Sequence, residues 1–227
     1  MSEKLHSLWQ GIRTEFPMLV GVFPFGMIYG AAALGAGITP GLAQAMSSIV
    51  FAGSAQFLTA QLVHEGAAAL VIVLSIGMVN LRHLLYSASV APFIHHLSLR
   101  WKALLAYLLT DEAYAAVIVH YEKEGATPTG HWFFLGAGAS LWLTWQVSTV
   151  LGIFLGAAIP ESWPLDFALP LTFIAMLVPT IRDRAVVVAA LAAAAIALLG
   201  AGLPYNLGLV LAALAGIGLG MLAEGRK

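Results

Sequence analysis

Asn80, Arg82, His83 and Tyr86 stand within two helical turns of one another, inside an apolar stretch covering residues 67–94. A charged side chain at the centre of a bilayer costs about 2.5–3.5 kcal/mol on insertion scales, so an arginine kept there needs a partner or a task. On a helix, Asn80, His83 and Ser87 share one face, and Arg82, Tyr86 and Ser89 share a neighbouring one. Such a sector can handle a polar solute. The Arg82 guanidinium offers a fork of donors to a carboxylate, and the Asn80 amide both donates and accepts. The competing reading is a structural ion pair between Arg82 and Asp111 or Glu112; one protein can use both arrangements in different states. His83 taken alone is the weaker signal, because a lone histidine is more often a satisfied hydrogen bonder than a proton carrier.

Asp111 and Glu112 fall in the middle of the next apolar run. Adjacent residues on a helix point about 100° apart, so the two cannot face one partner. One can address a polar path while the other pairs with a neighbouring helix. Intramembrane carboxylates are proton-relay or cation-pairing groups by default, which makes Asp111, Glu112 and His83 the candidate proton-coupling residues.

An earlier run holds Phe51 and then Gly53-Ser54-Ala55-Gln56-Phe57. A helix break there would let Ser54 cap a second half-helix whose free N–H groups suit a carboxylate. Alternatively, the small residues only permit close packing of helices. The Gln56 amide carries donors and an acceptor that need partners. Phe51, Ser54, Gln56, Asn80, Arg82 and Tyr86 are thus the candidate substrate-binding residues. Trp145-Gln146 falls near the middle of a later run, where packing is the expected role over pocket lining. The Gly26/Gly30, Gly152/Gly156 and Gly216/Gly220 pairs are small-xxx-small packing marks.

The scaffold that holds these groups follows from composition. Of 227 residues, 60% are hydrophobic and 9% charged, against roughly 25% charged in soluble proteins. The sequence therefore predicts an all-α, polytopic transmembrane bundle forming a single domain over residues 1–227. About eight spans are expected, at 16–37, 41–63, 67–95, 103–120, 132–159, 166–181, 185–200 and 204–223, with seven possible. The second and third should be broken or kinked around Gly53-Ser54 and Met78 to Arg82, their ends facing a shared midplane cavity. The third is overlong: at 1.5 Å per residue it exceeds a hydrocarbon core of roughly 30 Å. Pro17 and Pro24 mark a kink in the first.

Residues 1–15, with Glu3, Lys4, Arg13 and Glu15, form a polar leader without the core of a cleaved signal peptide. Leu5, Leu8, Trp9 and Ile12 recur at helical spacing, so the leader is expected to lie amphipathically along the cytoplasmic interface. With eight crossings and the N-terminus inside, the Lys and Arg residues of short loops fall on the cytoplasmic side, except Arg100 and Lys102, which fall outside. A net charge of −1 argues against a nucleic-acid surface, and zero cysteines leave no thiol chemistry or thiolate metal site. No HExxH, GxSxG, Walker or dinucleotide motif is present, so neither enzyme activity nor a cofactor is expected.

The order Phe23-Pro24-Phe25-Gly26, Ser48 to Phe57, Asn80-Leu81-Arg82-His83-Leu84-Leu85-Tyr86 and Thr110-Asp111-Glu112-Ala113-Tyr114-Ala115 resembles the AzlC family of branched-chain amino acid permeases. Leu165 to Leu171 and Asn206-Leu207-Gly208 continue the likeness. The resemblance implies export of valine, leucine, isoleucine or analogues across the bacterial inner membrane, and a small AzlD-type membrane subunit in a hetero-oligomer. The Gly-rich faces of the fifth and eighth spans are available for that subunit. The chemistry agrees: a zwitterion needs a cation for its carboxylate, an anion for its ammonium and an apolar surface for its side chain. Without a nucleotide motif the energy source is expected to be an ion gradient, with protons favoured. A passive channel or small-ion transporter, and a non-transporting membrane scaffold, are the alternatives.

Overall fold

A computed structural model of the chain describes residues 2–155, 181, 183–203 and 207–224, and every regular element among them is a helix. The chain divides into two compact units, Met1–Leu165 and Asp166–Lys227. The first holds α1 (Glu3–Gly35), α2 (Pro40–Ile49), α3 (Gly53–His64), α4 (Ala69–Asn80), α5 (Arg82–Ile94), α6 (Leu99–Tyr107), α7 (Asp111–Glu124) and α8 (Gly130–Leu155). The second holds α9 (Arg184–Leu199) and α10 (Leu207–Glu224). The sixth expected span lies almost wholly outside the described residues.

Among the described residues three helices are long and apolar enough to cross a membrane: α1, the nearly continuous α4–α5 and α8. Large apolar side chains point outward along them, including Val20, Leu70, Val73, Leu84, Leu85 and Phe154, and α4 buries no residue at all. Lipid supplies the apolar surroundings such a surface needs. Pro17 and Pro24 lie inside α1 without ending it. Residues 3–15, expected as a separate leader, are the first turns of this same helix. Trp9 is half-exposed, but Glu15 is fully buried in the unit.

α1 and α8 are the spine of the first unit, and glycine is what brings them together. A Cβ on Gly136 would sit 2.1 Å from the Leu8 carbonyl, one on Gly11 would sit 2.1 Å from that of Phe133, and one on Gly152 would sit 2.1 Å from that of Met27. Gly30 meets the Thr149 carbonyl at 2.5 Å in the same sense. The matched positions rise together along both helices, so α1 and α8 run parallel. In the second unit, Cβ atoms on Gly216 and Gly220 would meet Ala193 and Ala189 of α9 at 3.0 Å. The Gly152, Gly216 and Gly220 faces, which the sequence offers to a partner subunit, are thus used within the chain. Gly136→Ala is expected to destabilise the protein by about 1–3 kcal/mol, as overpacking does, seen as a lower unfolding temperature. Gly21→Ala is the control, since nothing lies within 4 Å of its Cβ position; there a glycine-to-alanine change should be neutral or stabilising.

The second expected span is broken, as the sequence predicts. α2 ends at Ile49 and α3 begins at Gly53, with Phe51 at φ +42 between them. A non-glycine residue in that left-handed region is uncommon and carries strain. The third span is interrupted at Leu81, where Leu81 N–H donates to the Met78 carbonyl and Leu84 N–H to that of Leu81, each three residues back. The fourth span, expected to be one helix, is broken too: α6 stops at Tyr107 and α7 restarts at Asp111.

One end of the unit gathers the starts of α1, α6 and α8 with the finishes of α5 and α7. Lys4 Nζ lies 5.9 Å over the Trp132 ring, and Trp101 is 5.2 Å from Trp132. Ser7 Oγ donates to Thr129 Oγ1 at 2.9 Å, and Phe93 stacks on Tyr121 at 4.9 Å. Arg100 and Lys102 flank Trp101, so they share an end with Lys4; eight straight crossings would separate them. From this end α6 rises only to the level of α2, where Tyr107 Oη donates to the Ser48 carbonyl and its ring meets Phe51 at 5.9 Å. α7 then returns to where it started. The α2–α3 pair does the converse from the opposite end, and the tips of the two pairs touch mid-bundle.

Candidate functional site

The interruptions of three helix pairs meet at one cluster of side chains. Arg82 is the first residue of α5, Ser54 lies in the first turn of α3, and Asp111 opens α7. Arg82 Nη1 lies 2.7 Å from Asp111 Oδ2, and Arg82 Nη2 donates to Ser54 Oγ. Tyr86 Oη donates to Asp111 Oδ1 at 2.8 Å, holding the carboxylate from its other side. Tyr86 stacks on Tyr114 at 4.3 Å and meets the His83 ring edge-on at 5.8 Å. The Arg82 and Asp111 side chains are 24% and 15% exposed, so the pair is sheltered but not fully buried.

Local sequence explains why the groups arrive there. Thr110 caps α7, its Oγ1 accepting from Ala113 N–H at 3.4 Å, with Asp111 and Glu112 in the first turn. Negative charge is favoured at that position by the helix dipole. Ala52, not Ser54, occupies the cap of α3, and no side chain caps that helix. The expected capping role of Ser54 is therefore corrected: its hydroxyl receives Arg82 instead. The first-turn N–H groups of α3 remain without intrahelical partners by construction and flank the same cluster.

Hydrogen-bonding capacity is left over at the site. Among the described residues, Arg82 Nε, Asn80 Oδ1 and Gln56 Nε2 are buried with no partner, and such groups are rare enough in native structures to need a reason. Gln56 is fully buried, and its Oε1 accepts from Trp145 Nε1 at 3.1 Å. Around it Phe25, Tyr29, Phe57 and Trp145 form an aromatic group, with Phe25 and Phe57 at 4.7 Å and Tyr29 and Trp145 at 6.0 Å. His83 Nδ1 faces the Asn80 carbonyl at 3.2 Å.

The structure thus joins Ser54, Arg82, Tyr86 and Asp111 directly, with His83 beside them. Phe51 stands at the tip of its broken pair against Tyr107, and Gln56 turns toward Trp145 and α1. The interruptions meet through side-chain contact; a cleft of about 280 Å³ lies further along, between α5, α6 and α8, with Ser87, His95 and Lys102 at its wall. Asp111 and Glu112 diverge as adjacent helical residues must: Asp111 takes Arg82, while Glu112 is the charged neighbour of Glu15 on α1. Gln146 packs, as expected, by docking α2. Its Oε1 accepts from Gln44 Nε2 at 2.7 Å and Ser48 Oγ at 2.8 Å, and its Nε2 donates to the Ser47 carbonyl at 3.1 Å.

Two features escaped the sequence. The break before Asp111 was signalled by a threonine followed by two acidic residues, a helix-start pattern, but the apolar run around it masks the signal. Glu15 carried no signal that separates a buried carboxylate from a polar leader.

A model of the AzlC protein family matches residues 17–159. The chain is 28% identical over 181 residues to the inner membrane protein YgaZ of Escherichia coli, covering 77% of this chain and 74% of that one. It is also 28% identical over 212 residues to an uncharacterized membrane protein of Archaeoglobus fulgidus, covering 91% of each. A Helicobacter pylori membrane protein shares 27% identity over 128 residues, 54% of this chain and 55% of that one. No solved structure matches.

Proposed function

We propose that this chain, a membrane protein that belongs to the AzlC family, is a secondary-active transporter exporting branched-chain amino acids, coupled to protons. The observation that carries the reading is the Arg82–Asp111 pair clasped by Ser54 and Tyr86 where the broken helices meet. An amino-acid zwitterion carries the same two charges as that pair. Its carboxylate can take the Arg82 guanidinium and the free N–H groups of α3, while its ammonium takes Asp111. The ion pair is then the empty, closed arrangement, and substrate substitutes for each partner in turn. Neither charge is left unpaired at any stage, which avoids the large cost of a lone buried charge. Half-helix ends around a midplane site are a recurrent device of secondary transporters. Transport rather than catalysis is the activity, with no cofactor. A small AzlD-type membrane subunit in a hetero-oligomer completes the proposal, on the strength of the family resemblance.

The experiment is a proteoliposome assay of labelled valine, with and without a pH gradient and a co-expressed small subunit. Gradient-driven flux supports the reading. Flux of ions without counter-ion coupling would favour a passive channel, and no solute movement under any condition would favour a scaffold.

The same reading carries an orientation in the bacterial inner membrane. Lys4, Arg100, Lys102 and Lys123 share one end, while residues 36–39 and 65–68 carry no Lys or Arg, so the positive-inside rule assigns the first end to the cytoplasm. On this basis α1, α4–α5 and α8 cross, and the α2–α3 and α6–α7 pairs re-enter. Because the chain has no cysteine, single replacements report accessibility cleanly. Thr39→Cys and Glu65→Cys should react with a membrane-impermeant thiol reagent on intact cells, and Ser98→Cys and Glu124→Cys should not. Eight straight crossings would instead expose Ser98→Cys and hide Glu65→Cys.

A further inference from the structure

Glu15 is fully buried on α1, and neither of its carboxyl oxygens has a hydrogen-bond partner among the described residues. An ionised carboxylate left in that state is too costly to persist, and the group neutralises instead. Among the described residues the elements packed against α1 bring no cation to it: α2 has no titratable side chain, α3 has only His64 as its last residue, and the His120 and Lys123 of α7 stand two or more turns beyond Glu112. α7 presents Glu112, a second acid, as its charged neighbour, with Asp111 one residue further toward Arg82. α8 carries no titratable side chain from Trp132 to Leu155. On α1 itself Arg13 is exposed and, two residues away on a helix, points to a different face. Glu15 also sits well placed. It lies between the Gly11 contact with Phe133 and the Gly26 contact with Ser148, on the Lys4 side of the site.

We propose that Glu15 is a resident proton-binding site, a protonated carboxylic acid at neutral pH that exchanges its proton by way of Glu112. The acid stands within the bundle between the end bearing Lys4 and the Arg82–Asp111 pair, with Glu112 as its charged neighbour and Asp111 next to Glu112 in the chain. Its use in driving transport rests on the proposed function; its protonation does not, and the test needs neither substrate nor partner.

Infrared difference spectra of the purified chain in lipid, recorded across a pH series in H₂O and D₂O, resolve the carbonyl stretch of protonated carboxylic acids. A band present at neutral pH should vanish in Glu15→Gln, shift in frequency in Glu15→Asp, and persist in Asp111→Asn. Glu15→Gln mimics the neutral acid in size and charge, so its unfolding temperature should match or exceed that of the wild type. A spectrum unchanged by Glu15→Gln and Glu15→Asp would overturn the proposal. So would the absence of any protonated-acid band from the wild type at neutral pH, which shows Glu15 ionised and paired, even if Glu15→Gln fails to fold.

Discussion

Arg82→Ala is expected to lower labelled-valine flux by about 100-fold or more at matched membrane abundance. Removing one member of a sheltered ion pair strands the other, at a cost of about 3–5 kcal/mol when both are fully buried. The partial exposure of Arg82 and Asp111 reduces the stability cost but not the functional one, because the cation proposed to receive the substrate carboxylate is gone. Every 1.4 kcal/mol is tenfold, so about 3 kcal/mol corresponds to about 100-fold. Arg82→Lys should recover only part of the flux. A lysine ammonium is a point charge that cannot reach Asp111 and Ser54 with two fixed donors, as the guanidinium does. Wild-type flux in the alanine variant would reduce Arg82 to a packing residue.

The second large effect separates architecture from transport. Asp111→Asn and Arg82→Gln should each lower the unfolding temperature, since each leaves a charge without its partner. The double variant Arg82→Gln/Asp111→Asn should regain most of that stability, because two neutral amides can bond each other, Ser54 and Tyr86. Flux should stay lost in all three. A double-mutant cycle is the clean way to apportion such a pair. Recovery of flux along with stability would mean that the pair serves the fold alone.

The helical membrane bundle and the identity of the polar residues were legible in the sequence because lipid enforces both. A long apolar run must be helical, and a charge within one must have a use. The break at Gly53 was legible because Gly-Ser-Ala-Gln departs from apolarity. The break at Leu108 to Thr110 was not, since Leu108 and Leu109 continue the hydrophobic pattern and only Thr110 hints at a helix start. Read as one helix, residues 103–120 put Arg100 and Lys102 at the opposite end from Lys4, whereas the α6–α7 pair starts beside Trp132 at the Lys4 end. Glu15 fell in a polar prefix, and its burial depends on Gly11 and Gly136 drawing α1 against α8. That is a tertiary fact, invisible to periodicity along one helix. The pairing of Arg82 with Asp111 over Glu112 likewise depends on which way the first turn of α7 faces.

The claim that a zwitterion substitutes for the Arg82–Asp111 pair is tested most directly by ligand-induced thermal stabilisation of the purified protein in lipid or detergent. A ligand that binds only the folded state raises stability by RT ln(1 + [L]/Kd), about 2.7 kcal/mol at 100 Kd. L-valine should raise the unfolding temperature in a concentration-dependent way. Valinol, which lacks the carboxylate, and isovalerate, which lacks the ammonium, should produce little or no shift at the same concentrations. The Arg82→Gln/Asp111→Asn variant should be folded and unresponsive to all three. Equal stabilisation by valine, valinol and isovalerate, or an undiminished valine response in the double variant, would show that no zwitterion takes the place of the pair.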